Sequence, residues 1–192
     1  MSKTINLKNN KNQIDFIESV KNGAIFAYPT EAVYGLGCDI NNKDAIQKIL
    51  DIKKRDVSKG LIVISDNLEK VRSLIDDNYY KTFSELNNDV SHTTWLCPAS
   101  SLVLPEVTGF SKKIAVRITR HKVSCEICKL LDFPIISTSA NRVGDEPIVN
   151  FKRIKQYFDN EVDYIIEGEL GSSSKPSRIL DLLTKEVLRA GD

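Results

Sequence analysis

A cluster of cations marks residues 52–64. Four basic residues fall within seven positions and are opposed only by Asp56: Lys53, Lys54, Arg55 and Lys59. On extended chain Lys53 and Arg55 point the same way, whereas on a helix they point about 200° apart. If the predicted helix before them unwinds at Lys53, both side chains can meet one anion. The alternative is a solvated helix C-terminus, where cations complement the helix dipole.

Small polar residues follow an apolar run in residues 134–144. The run leads into hydroxyl and amide side chains at Ser137, Thr138, Ser139 and Asn141. Short hydroxyl side chains at a strand end can donate hydrogen bonds to a phosphate without crowding it. The alternative is an ordinary turn, in which Ser, Thr and Asn bond nearby backbone groups.

A third segment, residues 27–39, combines a strand end with two glycines. Pro29 ends a predicted strand, and Thr30 and Glu31 begin a predicted loop. Gly35 and Gly37 allow close backbone approach or positive φ. The segment lacks the third glycine of a dinucleotide-binding fingerprint, and no part of the sequence matches a Walker A loop. A nucleotide site in this chain would therefore need a different construction.

In this order, the three segments resemble the YrdC/Sua5 family of threonylcarbamoyl-AMP synthases. The resemblance covers about residues 13–191 and is closest to the short bacterial form, which lacks a C-terminal extension. It is carried by AYPTEAVYGLG at 27–37, K-x-R at 53–55, KIAVRIT at 113–119, STSAN at 137–141, PSRILDL at 176–182 and EVLRAG at 186–191.

The resemblance implies a single α/β domain over residues 1–192, with a twisted mixed sheet, flanking helices and a positively charged concave face. ATP, L-threonine and bicarbonate would react there to give threonylcarbamoyl-AMP and pyrophosphate. The carbamoyl group would later move to adenosine 37 of tRNAs that read codons beginning with A. We expect Mg²⁺ to accompany ATP, although no protein ligand for it is identifiable. The implied partners are a threonylcarbamoyl-transferase complex and, indirectly or weakly, tRNA.

The resemblance also implies roles for individual residues. The catalytic phosphate cradle would consist of Lys53, Arg55, Ser139 and Asn141. Further nucleotide contacts would come from Lys59, Lys113 and Arg189. Threonine would be held by Thr30, Arg117, Ser137 and Ser177.

The Arg117 assignment has separate support from the alternation of its strand. Ile114, Val116 and Ile118 share one face, so Arg117 projects from the other. Arginine pairs bidentately with a carboxylate such as that of an amino acid. The alternative is an ordinary surface salt bridge.

The sequence departs from the family pattern in several places. In TWLCPASSLVLP (94–105), Leu96 and Cys97 replace a Pro-Gly pair, and Ser100 stands where threonine is usual. Arg142 adds a positive charge beside the predicted site, and Ala32 removes one possible contact to the amino acid. The lone C-x-x-C of Cys125 and Cys128 is a weak zinc signal, and we interpret it as structural.

Alternating apolar patterns supply the elements that must position these residues. Helical spacing predicts helices at 13–20, 42–52, 78–86, 123–131 and 150–158, with another opened by an Asp66–Glu69 capping box. Short apolar runs predict strands at 24–28, 61–64, 102–104, 114–119, 135–137, 162–166, 179–183 and 187–189. Mixed elements of this kind are typical of the α/β class.

The composition limits the number of domains, the location and the way in which the chain could bind anions. The chain has 192 residues, 41% hydrophobic and 28% charged, as expected for one soluble domain. With neither a signal sequence nor a membrane span, and with four cysteines, it is expected in the cytoplasm. The net charge of +1 means that any affinity for anions must come from a local patch.

Two other functions compete with the enzyme. A structured-RNA binding protein would use the basic stretches at 53–59 and 112–129, but the sequence lacks an RNA-binding motif with interleaved aromatics. An inert scaffold subunit of the modification complex would have no nucleotide affinity. RNA binding would weaken steeply with salt, whereas the enzyme would release pyrophosphate only with threonine and bicarbonate present.

Overall fold

The computed structural model describes residues 1–87 and 92–191. Its helices are α1 (Asn10–Lys21), α2 (Lys43–Lys53), α3 (Asp77–Leu86), α4 (Pro105–Thr108), α5 (Lys122–Leu131) and α6 (Phe151–Phe158), with 3₁₀ turns at Val57–Lys59 and Glu69–Leu74. Its strands are β1 (Lys3–Ile5), β2 (Phe26–Pro29), β3 (Tyr34–Asp39), β4 (Ile62–Ser65), β5 (Thr93–Pro98), β6 (Lys113–Ile118), β7 (Ile135–Ser139), β8 (Tyr164–Ile166), β9 (Arg178–Asp181) and β10 (Val187–Arg189).

The strands form one mixed sheet in the order β1-β8-β2-β3-β7-β4-β6-β5-β9-β10. β3 runs antiparallel to both β2 and β7, whereas β4 and β6 are parallel neighbours. β7 therefore lies between β3 and β4, although it comes much later in the chain. This confirms the predicted α/β class with a mixed sheet and flanking helices.

Each face of the sheet carries its own core. On one face, Val63, Val116 and Ile136 belong to a large cluster that includes side chains of α2, α3 and α6. On the other face, Ile64 and Ile135 belong to a smaller cluster completed by α1 and α5. Burying each such aliphatic side chain contributes about 1.5–3 kcal/mol. The smaller cluster does not extend over the ends of β6 and β7, where Arg117 and Ser137 project from its face.

Helix α2 ends at the basic segment that the sequence analysis identified. Asn42 caps its start, with Oδ1 accepting a hydrogen bond from the Ala45 amide at 2.9 Å. Its last helical residue is Lys53, and Lys54 adopts a left-handed conformation with φ of 50°. This left-handed residue ends the helix and turns the chain. Lys53 therefore belongs to α2, whereas Arg55 belongs to the segment that follows it.

Several element predictions need correction. Residues 102–104 are not a strand but lead into α4, where Pro105 takes a first-turn position, and Leu102 is 72% exposed. The Asp66–Glu69 capping box is also wrong, because the Glu69 amide donates to the Asn67 side chain instead. Asp66 forms an ion pair with Lys70 at 3.1 Å.

Strands β1, β3 and β5 were not predicted. The segment after Glu31, predicted as a loop, returns at once as β3, and its glycines permit close approach rather than positive φ. A Cβ atom on Gly37 would lie 2.8 Å from the Phe26 ring on the neighbouring strand. The 27–39 segment is therefore a hairpin whose glycines admit an aromatic side chain.

Candidate active site

A cavity of about 150 Å³ opens on the face of the smaller core, beyond the reach of α1 and α5. It draws side chains from the ends of β2, β6 and β7, the segment after α2, and the distant β9–β10 hairpin. Of the residues predicted from the sequence, it is lined by Thr30, Arg55, Arg117, Ser137, Ser139, Ser177 and Arg189.

Three guanidinium groups dominate the charge of this cavity. Burial, followed by the nearby charges of Arg117 and Arg55, lowers the pKa of Arg189 below its usual value. Burial also lowers the pKa of Arg55. Both arginines remain cationic, because even a lowered arginine pKa lies far above neutrality. The cavity is therefore built to receive an anion.

Backbone carbonyls hold two of these arginines in place. The Arg189 guanidinium donates two hydrogen bonds to the Ser177 carbonyl oxygen, at 3.0 and 2.7 Å. Arg55 donates to the Gly60 carbonyl oxygen at 3.0 Å. Within residues 1–87 and 92–191, Arg55 Nε is buried without a hydrogen-bond partner.

Arg117 differs from the other two because it faces a carboxylate. Its guanidinium lies 3.2 Å from Glu31 Oε2, and its NH1 group lies 2.8 Å from His92 Nε2. Thr119 donates to Glu31 Oε1 at 2.7 Å. Burial alone would raise the pKa of Glu31, but the Arg117 charge and the Thr119 hydrogen bond outweigh it and hold this pKa well below its usual value. Glu31 is therefore a permanent carboxylate.

Glu31 and His92 are site residues that the sequence analysis did not assign. Glu31 directly follows Thr30 in the PTEA stretch, so its position was a usable signal. His92 had no such signal, because it borders β5, a strand that was not predicted. Its ring reaches the cavity only because β5 pairs with β6.

Lys53 does not line the cavity, in contrast to its predicted role as a direct phosphate ligand. Only 3% of the residue is exposed, and Nζ donates to the carbonyl oxygens of Ser139 and of Asn141, the latter at 2.7 Å. Burial, then the Arg55 charge, lowers the Lys53 pKa to about 8. Lys53 thus supports the turn after β7 without lining the cavity, and it adds a titratable charge beside the site.

Asn141 also lies outside the lining, as part of the turn that Lys53 supports. Its Oδ1 accepts a hydrogen bond from Ser139 Oγ at 2.5 Å, and its Nδ2 donates to the Asp145 carbonyl oxygen at 2.7 Å. For Asn141 the turn-forming alternative raised by the sequence therefore describes the contacts. Ser139 remains at the cavity wall.

Two predicted nucleotide contacts lie elsewhere. Lys59 is an exposed residue of the 3₁₀ turn after α2. Lys113 forms an ion pair with Asp181 at the start of β6, four residues and about 13 Å of strand from Arg117. Arg142, expected to add charge beside the site, is paired with Glu161 at 2.5 Å.

The hydroxyl groups of the cavity are held in place by short hydrogen bonds. The Tyr28 hydroxyl donates to Ser137 Oγ at 2.7 Å, and Thr30 Oγ1 donates to the Val33 carbonyl oxygen at the same distance. Ser177 Oγ lies 2.8 Å from Thr94 Oγ1. Each of these oxygens keeps acceptor capacity for a further donor.

The contact between Ser177 and Thr94 corrects the placement of the TWLCPASS stretch. Ser100, matched to the family's usual threonine, accepts a hydrogen bond from the Leu102 amide in a surface turn and is absent from the cavity lining. Thr94 is fully buried at the site instead. Leu96 and Cys97 continue β5, so the replaced Pro-Gly pair does not form a loop here.

None of the helices in residues 1–87 and 92–191 is long and apolar enough to cross a bilayer. The same residues contain no group of three or more His, Cys, Asp or Glu side chains placed to hold a metal ion.

The described residues form an α/β domain with a mixed sheet and an arginine-lined cavity on the open face of that sheet. A family model for Sua5, YciO and YrdC proteins, described as telomere recombination, matches residues 18–191. The chain therefore belongs to the Sua5/YciO/YrdC family.

Curated relatives carry the name threonylcarbamoyl-AMP synthase. The protein from Pseudomonas entomophila is 42% identical over 173 residues, covering 90% of this chain and 93% of the relative. The protein from Coxiella burnetii strain RSA 493 is 39% identical over 176 residues, covering 91% and 95%.

Solved structures share the fold. Sua5 from P. abyssi, crystallised with L-threonine, superposes with a TM-score of 0.88 at 25% identity, covering 99% of this chain and 58% of that one. This chain thus spans about three fifths of the P. abyssi protein. YciO from E. coli superposes with a TM-score of 0.84 at 24% identity, covering 100% and 96%.

Proposed function

We propose that this protein is a threonylcarbamoyl-AMP synthase. It forms L-threonylcarbamoyladenylate and pyrophosphate from L-threonine, bicarbonate or CO₂, and ATP, for modification of adenosine 37 in tRNA. The single observation that carries the proposal is the convergence of Arg55, Arg117 and Arg189 with serine hydroxyls on one cavity. The near full-length relatives of the same name support it.

The charges divide the cavity into two unlike parts. Within the described residues, neither Arg55 nor Arg189 has a carboxylate within ion-pair distance, whereas Arg117 is paired with Glu31. An uncompensated cationic region suits a triphosphate. A region holding both charges suits a zwitterion, with the substrate carboxylate at Arg117 and its ammonium group toward Glu31. ATP and threonine therefore have distinct and adjacent places.

The reaction needs two anions to be held in line. The threonine amine adds to CO₂, loses a proton and becomes a carbamate. A carbamate oxygen then bonds to the α-phosphorus of ATP as the bond to pyrophosphate breaks. Such a step depends mainly on positioning and on fixed positive charge. In this chain Arg55 and Arg189 would supply that charge, and Ser139 would orient the phosphates.

The roles of Lys53 and Asn141 are proposed as supporting ones. Their contacts fix the turn that carries Ser139, and the Lys53 ammonium contributes charge without touching phosphate. Thr30, Ser137 and Ser177 remain the proposed hydroxyl partners of threonine. Lys59 and Lys113 could reach ATP only if it extends beyond the cavity.

Mg²⁺ is proposed to arrive with ATP, held by phosphate oxygens and water, as is usual for this ion. The unstable adenylate would pass to the threonylcarbamoyl-transferase complex, and tRNA would be met indirectly or weakly. The proposed location is the cytoplasm, where tRNA modification takes place.

The test is a mass-spectrometric search for the adenylate after mixing protein, ATP, Mg²⁺, threonine and bicarbonate. We expect the adenylate and pyrophosphate in the complete mixture, and neither when threonine or bicarbonate is omitted. Absence of the adenylate, together with salt-sensitive binding of structured RNA, would favour the RNA-binding alternative.

A further inference from the structure

His92 occupies a position in the cavity that none of the assigned roles explains. It stands between α3 and β5, directly before Thr93, and its side chain is 16% exposed. Its Nε2 atom lies 2.8 Å from Arg117 NH1 and 3.7 Å from Glu31 Oε2. The shorter of the two distances is a hydrogen bond, and the longer one is not.

The chemistry of arginine fixes the state of this imidazole. A guanidinium has only donors, so His92 Nε2 must accept the hydrogen bond from Arg117. The ring is therefore neutral, with its proton on Nδ1. Nδ1 is buried and, within residues 1–87 and 92–191, has no hydrogen-bond partner.

We propose that His92 is a positioning residue that holds Arg117 for the carboxylate of the amino-acid substrate. This inference rests on the proposed function, because it names the partner of the Arg117 subsite. Glu31 contacts the Arg117 guanidinium at NH2, and His92 contacts it at NH1. The two contacts fix the plane of the guanidinium, and the neutral imidazole does so without adding a second negative charge that would repel the substrate carboxylate.

The experiment compares His92→Phe and His92→Gln with the unmodified chain. Phenylalanine cannot accept a hydrogen bond, and we expect it to raise the KM for threonine roughly 10- to 100-fold, the effect of losing one bond to a charged group. The kcat and the affinity for ATP should change little. Glutamine offers an oxygen that does not titrate, so His92→Gln should keep the KM close to its original value.

The separation of KM from kcat distinguishes this role from a purely structural one, because a general loss of structure would also lower kcat and the affinity for ATP. An unchanged KM in His92→Phe, or a KM in His92→Gln as high as that of His92→Phe, would overturn the inference. If His92→Phe does not fold, His92→Leu, which likewise offers no acceptor, takes its place. Failure of the proposed function is a different result, since the unmodified chain would then make no adenylate.

Discussion

At the scale of single residues, burial separates groups that can touch a ligand from groups that support them. Lys53 and Arg55 are two positions apart, yet the first donates to backbone carbonyls and the second lines the cavity. Lys53 is deeply buried and cationic, and only its hydrogen bonds to carbonyl oxygens make that burial tolerable.

The Lys53 pKa predicts how stability depends on pH. Its folded value, about 8, lies below its ordinary value of 10.5. Between these values the unfolded chain binds a proton that the folded chain does not, so the Lys53 contribution to the free energy of unfolding rises with pH in this window. Urea unfolding of the unmodified chain and of Lys53→Met at several pH values isolates the Lys53 contribution to the free energy of unfolding. The difference in unfolding free energy should grow in favour of the unmodified chain as pH increases, and a constant difference would contradict the lowered pKa.

Arg55→Ala should fold normally and lose most adenylate formation. Removing one preorganised charge costs on the order of 10²–10³ in rate, and Arg55 is only partly buried beside an open cavity, so its loss leaves no large hole in a core. The measurement is pyrophosphate release with saturating threonine and bicarbonate. Arg153→Ala, on the exposed surface of α6, is the matched control and should retain full activity. Equal rates in the two variants would remove Arg55 from the site.

At the scale of elements, close backbone contacts set the direction of Arg55. The guanidinium is held by the Gly60 carbonyl oxygen, and the turn at Val57–Lys59 packs against the end of α4. A Cβ atom on Gly109 would lie 2.5 Å from the Ser58 carbonyl oxygen and 2.6 Å from the Gly60 amide nitrogen. Gly109 therefore permits the approach of two elements that are distant in sequence.

Gly109→Ala should destabilise the protein more than Gly144→Ala. Both glycines have positive φ, but a Cβ atom on Gly144 would meet nothing within 4 Å, so this control carries the backbone strain alone. The clash at Gly109 should add about 1–3 kcal/mol, as overpacking does, measured by urea unfolding. Because the Gly60 backbone must move, ATP affinity should also fall in Gly109→Ala. Equal unfolding free energies would show that the contact is not tight.

At the scale of the whole molecule, the twisted sheet brings together positive charges that are balanced in the overall composition. The net charge is only +1, yet three arginines and one glutamate meet in or beside a single cavity. Strands β2 and β10 are far apart in the sheet order, and sheet twist and curvature bring their ends to opposite walls.

This charge distribution predicts different salt responses for the two substrates. Raising salt from about 0.1 M to about 1 M shortens the Debye length from ~10 Å to ~3 Å, which should weaken ATP binding severalfold. Threonine is a zwitterion meeting the balanced Arg117–Glu31 pair, so its affinity should change little. Calorimetric titration of each substrate in chloride buffers measures both. A parallel decline of the two affinities would contradict the division of the cavity.

The fold class, the family and seven of the sixteen residues that line the cavity could be predicted from the sequence. Apolar runs ending in Pro29 or in Ser137 and Ser139 place polar groups at strand ends, and the Ile114–Ile118 alternation turns Arg117 away from the core. These are local relations, set by the period of a strand, and they survive folding unchanged. The family resemblance added distant members such as Ser177 and Arg189, which no local pattern connects with the rest.

Which of the cations line the cavity could not be read from the sequence. The sequence does not distinguish Lys53, Arg55 and Lys59, which are three cations of one basic stretch. The left-handed turn at Lys54 and the contact of α2 with the turn after β7 bury Lys53, whereas Arg55 lines the cavity and Lys59 stays exposed. His92 joined the site through the pairing of β5 with β6. Such outcomes depend on contacts between segments far apart in the chain, and those contacts exist only in the folded protein, where the sheet packs between its two cores.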